Sequence, residues 1–261
     1  MSKEYLPADR LDKIYRLVVE NGNAKVADLS TMFNVSDLTV RRDLDILEKR
    51  GLIERTHGGA ICSQRLKVET IYTQKDQEFR IQKEAIGRAA AEFIADGDTI
   101  LVNSGSTTLQ VLRHLKGKHC RVITNNAGAL LEARNLDVEI LFVGGAFRGQ
   151  SNSLVGGFAH LTLNSLYGSK AIIGIDGFSL KAGLTTAVYE EADINRVMIE
   201  RTRGEVIVVA DHRKIGVVSN FVSSPAEAID VLVTDDGFQE EYRNDLEKAG
   251  IRLCIAPTGI G

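Results

Sequence analysis

Residues 35–60 read VSDLTVRRDLDILEKRGLIERTHGGA, and the spacing of their apolar residues decides the fold of the first part of the chain. Ser36 carries a hydroxyl able to accept from the free backbone N–H groups of a helix's first turn, and Gly51 is a natural stop after Arg50. At 3.6 residues per turn, Val40, Asp43, Leu44 and Leu47 share one side, while Leu38, Arg41, Arg42 and Asp45 share the other. Val40, Leu44 and Leu47 are therefore expected in a core. The opposite face offers two adjacent guanidinium groups, suited to phosphates or guanine edges, and an exposed Leu38 suited to a thymine methyl. Two helices are expected upstream, over 8–20 with Leu11, Ile14, Tyr15 and Val18 on one stripe, and over 25–33 with Val26, Leu29 and Phe33 on another. The break Asn21-Gly22-Asn23 and the turn Asn34-Val35 have the lengths that pack these as a helix-turn-helix, and 52–61 supplies two short strands bearing Arg55 and His57, a wing. The pattern by itself also fits a small helical packing module whose arginine pair is merely solvated.

The composition bounds the rest. With 261 residues, 44% hydrophobic and 26% charged, the chain is globular and long enough for a small domain plus one of ordinary size. Its net charge of −3 argues against nonspecific coating of nucleic acid, and residues 1–60 balance 10 Lys/Arg against 10 Asp/Glu. DNA affinity must then come from charge placement, and a dimer or tetramer reading paired half-sites is the expectation. Cys62, Cys120 and Cys254 are odd in number and far apart, so neither a disulfide framework nor a zinc site is expected, and the five histidines show no metal-ligand pairing. Without a signal-peptide pattern or a membrane-length apolar run, the expected place is the cytoplasm, with no membrane partner.

Residues 1–62 are read as the DNA-binding domain, the polar stretch 63–82 as a partly helical linker, and 83–257 as a second domain. From Lys83 helical and strand patterns alternate. Strands are expected at 99–102, 121–124, 138–143, 171–175, 206–210, 229–233 and 252–255, with helices at 83–94, 107–115, 158–166, 190–203 and 239–248. Such alternation predicts a Rossmann-like α/β domain, a largely parallel sheet covered by helices, with ligands at the carboxyl ends of the strands. Polar and glycine residues cluster at those ends: NSGSTT at 103–108, Thr124-Asn125-Asn126, Gly144-Gly145 with Arg148, Asp176-Gly177, and Asp211-His212-Arg213-Lys214. A turn opening onto a helix N-terminus favours a phosphate. The chain has no G-x-G-x-x-G, and its Gly117-Lys118 is not followed by Ser or Thr, so nucleotide cofactors are not expected. A small polyol phosphate suits the set, with Ser106 and Lys214 on the phosphate and Asp176, Asn125 and Asp211 on hydroxyls. Taken singly, the glycines are also turn residues, and Asn125 and Asp211 are also caps.

The stretch VRRDLDILEKRGLIERTHGGA at 40–60 resembles the N-terminal signature of the DeoR family of bacterial transcriptional repressors, joining an R-R-D-L helix, a glycine turn and an R-x-H-G-G-A wing in fixed register. VNSGSTT, VITNN, FVGGAFR, AIIGIDGFSLKAGLTT and VIVVADHRKIG resemble that family's C-terminal sensor domain, in the family's order. The resemblance implies a winged helix-turn-helix bound to operator double-stranded DNA. Thr39, Arg41 and Arg42 would supply shared contacts, Asp37 and Leu38 would tune sequence choice, Ser36 is a further DNA-binding candidate, and Arg55 and His57 would act from the wing. It further implies a sensor domain similar to ribose-5-phosphate isomerase, without catalysis, holding a phosphorylated sugar or polyol. Lys83, Ser104, Gly105, Ser106, Thr107, Thr108, Asn125, Gly145, Arg148, Asp176, Gly177, Asp211 and Lys214 are its candidate residues. Arg213 stands where the family usually has a small residue. Three functions are thus weighed: an effector-released repressor of a carbohydrate-utilisation operon, an active sugar-phosphate isomerase fused to a DNA-binding domain, and an oligomerisation scaffold with a vestigial pocket.

Overall fold

In the computed structural model, the residues described are 10–11, 13–15, 17–18, 23–49, 53–56, 58–62 and 72–259. The chain divides into two units, Met1–Arg65 and Leu66–Gly261. In the first, the described positions between 10 and 18 are helical, followed by β1 (Asn23–Lys25), α1 (Val26–Phe33), α2 (Asp37–Lys49), β2 (Ile53–Thr56) and β3 (Gly59–Cys62). Leu11, Ile14, Val18, Val26, Leu29, Phe33, Val40, Leu44, Leu47 and Ile53 form its buried core, as the helical periodicities require. Asn34 adopts the left-handed conformation at φ 51° that turns the chain between α1 and α2. Ser36 then caps α2, accepting from the Thr39 N–H at 3.2 Å. The expected stop at Gly51 lies outside the described residues.

The break before α1 is less empty than its sequence suggests. Asn23–Lys25 forms a third strand, antiparallel to β3 with Ala24 opposite Ala60, while β3 pairs with β2 as the wing. Gly59 is what admits it, since a Cβ there would run into the Ala24 carbonyl. One buried ion pair also enters this core: the Arg10 Nε donates to Asp43 Oδ2 at 2.6 Å, and a second nitrogen to Oδ1 at 3.2 Å. Asp43 lies on the apolar side of α2 because Arg10 neutralises it there.

The second unit is built on seven parallel strands in the order β15-β14-β12-β9-β4-β5-β6. These are β4 (Thr99–Val102), β5 (Arg121–Thr124), β6 (Glu139–Phe142), β9 (Lys170–Gly174), β12 (Val206–Val209), β14 (Val231–Asp235) and β15 (Arg252–Ala256). Valine, isoleucine and leucine fill the central strands because both faces are covered. Leu101, Ile123, Ala171, Ile173, Val208 and Leu232 enter one core layer, and Ile100, Val102, Val122, Ile172, Ile207 and Val209 the other, as the two-residue period of a strand demands. The covering helices include α3 (Tyr72–Gln77), α4 (Arg80–Ala91), α5 (Ser106–Arg113), α7 (Gly157–Asn164), α8 (Tyr189–Glu200) and α9 (Arg243–Lys248), with the short α6 (Ala129–Glu132) beside α5.

Two departures from the alternating reading matter for the site. Short antiparallel pieces are inserted at the strand ends: the hairpin β7 (Ala146–Arg148) with β8 (Ser153–Val155), and a small sheet of β10 (Gly177–Ser179), β11 (Gly183–Thr186) and β13 (Phe221–Ser224). Within the stretch 63–82, α3 is a helix and α4 begins at Arg80 rather than Lys83; residues 63–71 lie outside the described residues. Among the described residues no helix is long and apolar enough to cross a membrane.

Candidate functional site

On the first unit, α2 exposes Asp37, Leu38, Arg41 and Arg42 together, Leu38 at 60%. Two exposed guanidinium groups suit phosphates or guanine edges, and an open Leu38 beside them suits a thymine methyl. The Ser36 and Thr39 hydroxyls lie 2.9 Å apart, and Ser36 holds the expected cap. Arg55 is tied back onto α2. Its Nε lies 3.5 Å from Asp45 Oδ1, its backbone N–H donates to Glu48 Oε1 at 3.1 Å, and its side chain is 19% exposed. Arg55 is thus placed to brace the wing against the helix. His57 lies outside the described residues.

In the second unit, the carboxyl ends of β4 and β9 open into a cleft of about 510 Å³, its open mouth included. Ser104 and Gly105 line it from the turn before α5, Ser106 and Thr107 from the start of α5, and Asp176 and Lys214 from the ends of β9 and β12. Asn103 fixes the turn to the sheet: its Nδ2 donates to the Gly174 carbonyl at 2.8 Å, and its Oδ1 accepts from the Gly174 N–H at 2.8 Å. The same Nδ2 donates to Asn195 Oδ1 on α8.

Asp176 is the electrostatic centre. Its Oδ1 is 2.7 Å from Lys75 Nζ and 3.7 Å from Lys214 Nζ, and its Oδ2 accepts from Thr186 Oγ1 at 3.0 Å and the Ala187 N–H at 3.1 Å. Burial pushes its acidity down, but the Lys214 and Lys75 charges and these donors outweigh burial and hold the carboxyl far below the usual range. Lys214 also donates to the Ile175 carbonyl at 2.5 Å. The cleft therefore presents the fixed Asp176 anion, a second carboxylate on Glu191, two cations and a row of small hydroxyl and amide donors, among apolar carbon.

Several expected residues stand behind this wall. Thr108 is fully buried, its Oγ1 donating to the Asn103 carbonyl at 2.8 Å and the Gly105 carbonyl at 3.0 Å, so it shapes the turn. Asn125 donates to the Leu154 carbonyl at 3.1 Å and to Ser104 Oγ at 3.5 Å, and supports the turn from β5. Gly145 is exposed ahead of β7, Gly177 opens β10, and Arg148 donates to Ser151 Oγ at 3.1 Å; none lines the cleft. Asp211 is buried against Arg213, Nε to Oδ1 at 2.9 Å. Lys83 is buried and donates to the Lys75 carbonyl; burial and the Lys214 charge lower its pKa to about 8. Conversely, Tyr72, Lys75, Ser151, Thr186 and Asn195 line the cleft and were not expected there. Lys75 lay in a polar stretch with no apolar period, and 101 residues separate it from Asp176, so no local signal pointed to it.

Comparison with known proteins agrees with this arrangement at both ends of the chain. Residues 10–65 match the DeoR-like helix-turn-helix domain, and residues 78–236 match the DeoR C-terminal sensor domain. The chain belongs to the DeoR family of transcriptional regulators. It is 33% identical over 249 residues to the HTH-type transcriptional regulator GlpR of Haloferax volcanii, covering 95% of this chain and 97% of that one. It is 34% identical over 255 residues to the putative aga operon transcriptional repressor of Escherichia coli O157:H7, covering 95% and 93%. It is 31% identical over 255 residues to the HTH-type transcriptional repressor GlcR of Bacillus subtilis, covering 97% and 98%. Among solved structures, ribose 5-phosphate isomerase A of Methanocaldococcus jannaschii aligns over 51% of this chain and 53% of its own, at TM-score 0.38 and 16% identity. As a DeoR-family member the chain is a DNA-binding regulator rather than an enzyme, and α2 is the second helix of its helix-turn-helix. Lys75 falls between the two regions that the DeoR domains match, which is a further reason that sequence pattern passes over it.

Proposed function

We propose that this regulator represses a carbohydrate-utilisation operon, that α2 reads its operator with Arg41, Arg42, Leu38 and Asp37, and that a phosphorylated sugar or polyol entering the cleft weakens that hold. One observation carries the reading: a single cleft joins amide and hydroxyl donors at a helix start to a half-buried, charged carboxylate flanked by lysines. Phosphate oxygens suit the first and sugar hydroxyls the second. Two of its relatives, the putative aga operon repressor and GlcR, are named as repressors, which supports the direction of regulation. Release requires that the ligand prefer the weakly binding conformation, because equal affinity for both conformations shifts nothing. The near-balanced charge of residues 1–60 supports a homo-oligomer, dimer or tetramer, that pairs two half-sites.

Thermal melting of the full chain against phosphorylated sugars and polyols, each with its unphosphorylated partner, tests the ligand class. A selective ligand raises the melting point by mass action. A rise confined to phosphate esters is the expected result; equal rises with the unphosphorylated partners, or none with any, refute it.

A further inference from the structure

The roof of the cleft comes from the chain segment just after the DNA-binding unit in sequence, not from the sensor sheet. α3 is attached to the cleft at three points. The Tyr72 N–H donates to the Gln150 carbonyl at 2.8 Å, on the loop joining β7 and β8. Lys75 Nζ donates to Asp176 Oδ1 at 2.7 Å on the floor. The Lys75 carbonyl accepts from Lys83 Nζ and lies 3.4 Å from Ser106 Oγ, at the edge of the NSGSTT turn. Tyr72 and Lys75 both line the cleft itself.

The joint that follows α3 is also fixed by the site. Phe79 sits in the left-handed region at φ 55°, a conformation that bulky side chains rarely adopt without being held. Its ring lies under the Arg213 guanidinium, 3.2 Å from carbon to centroid, and 6.0 Å from the ring of His212 in an edge-on arrangement. Arg213 and His212 immediately precede Lys214, the second cation beside Asp176. The departure of Arg213 from the family's small residue thus has a role: it clamps the bend from which α3 reaches the cleft.

We propose that Lys75 reads the effector: a phosphate held at the Ser104–Thr107 turn draws the Lys75 ammonium away from Asp176, closing α3 over the ligand and freeing Asp176 for a ligand hydroxyl. This rests on the proposed phosphate site. Asp176 can release Lys75 because Lys214, Thr186 and the Ala187 N–H remain as its partners. A dianion at the turn offers the ammonium more charge than a carboxylate already shared among four donors. Phosphate alone takes the lysine; a sugar or polyol phosphate adds a hydroxyl that takes the vacated carboxylate oxygen. Occupancy is felt by α3, the first described helix after the DNA-binding unit in sequence.

Amide hydrogen exchange of the full chain, with inorganic phosphate as the probe, separates this inference from the site it rests on. With phosphate at about ten times its dissociation constant, opening that requires its release slows by a factor of about ten. In the wild type both the 104–108 turn and residues 72–77 are expected to slow. In Lys75→Met the turn still slows and 72–77 no longer does, and Lys75→Arg, which keeps a cation, restores the response. Slowing of 72–77 in Lys75→Met as in the wild type overturns the inference, as does a wild type in which the turn slows alone. If neither segment responds in the wild type, the phosphate site itself fails and this inference falls with it.

Discussion

Asp43→Ala in α2 removes the carboxylate that Arg10 reaches with two nitrogens, at 2.6 and 3.2 Å, from positions 8% and 5% exposed. What remains is a buried guanidinium without the carboxylate that paired with it. Stranding one member of a buried pair costs about 3–5 kcal/mol, and the lower end applies near the edge of a small unit. Domains of this kind hold about 5–15 kcal/mol in total, so about 3 kcal/mol takes a large share. The loss corresponds to about a hundredfold faster opening of the α2 amides by hydrogen exchange. Operator affinity should fall with it, while exchange in the seven-strand sheet stays unchanged. Arg10→Met combined with Asp43→Leu, which removes both charges and keeps apolar volume, should recover most of the loss. If Asp43→Ala speeds α2 exchange less than about fivefold, the pair is not the buried element described and the reasoning is refuted.

Other perturbations probe the remaining links. Arg41→Ala and Arg42→Ala should each weaken operator binding and reduce the slope of log affinity against log salt by about 0.9, the value for one phosphate contact; an unchanged slope removes that arginine from the DNA-binding face. Thr108→Val keeps the shape of the side chain but loses both of its hydrogen bonds, which should cost about 1–2 kcal/mol in a denaturant melt and weaken phosphate binding; equal ligand binding refutes its role in shaping the turn. The Asp235 carboxylate, 2.6 Å from His212 Nδ1, raises that imidazole above its ordinary 6.5 against the effect of burial. The stability from this pair is complete below the unfolded value and is lost as pH rises through the folded one. His212→Gln should therefore flatten the fall of melting temperature as pH rises above the ordinary imidazole value of 6.5, and a variant with the wild-type slope contradicts the pairing.

The sequence made the regular parts of this fold legible because their physics is local. Val206–Val209 and Thr99–Val102 are short β-branched and aliphatic runs that only a sheet covered on both faces can bury, and the i, i+4 stripe of Val40, Leu44 and Leu47 needs no partner to be read. The inserted strands were not legible. β1, β7, β8 and β10 have three residues each, too few for alternation to register, and β1 begins on the last residue of an Asn-Gly-Asn sequence that spells a turn. At the cleft, the NSGSTT turn and Asp176 announce themselves as small polar residues at strand ends. Thr108 and Asp211 carry the same signal but turn inward, because whether a hydroxyl or carboxylate faces ligand or backbone is settled by tertiary packing. Lys75 had no signal at all, since its importance comes from where α3 folds back.

The central claim joins the two units through a ligand, and its most direct test is the fluorescence anisotropy of a labelled operator duplex, selected from a random pool by the full chain. The complex would be titrated with the phosphate ester that raises the melting point, and in parallel with its dephosphorylated form. The account predicts that the ester releases the duplex, that the dephosphorylated form does not, and that Lys214→Ala binds the duplex normally but no longer releases it at the same ester concentration. Release of Lys214→Ala at wild-type concentrations, or a wild-type complex that holds its operator at saturating ester, would contradict it.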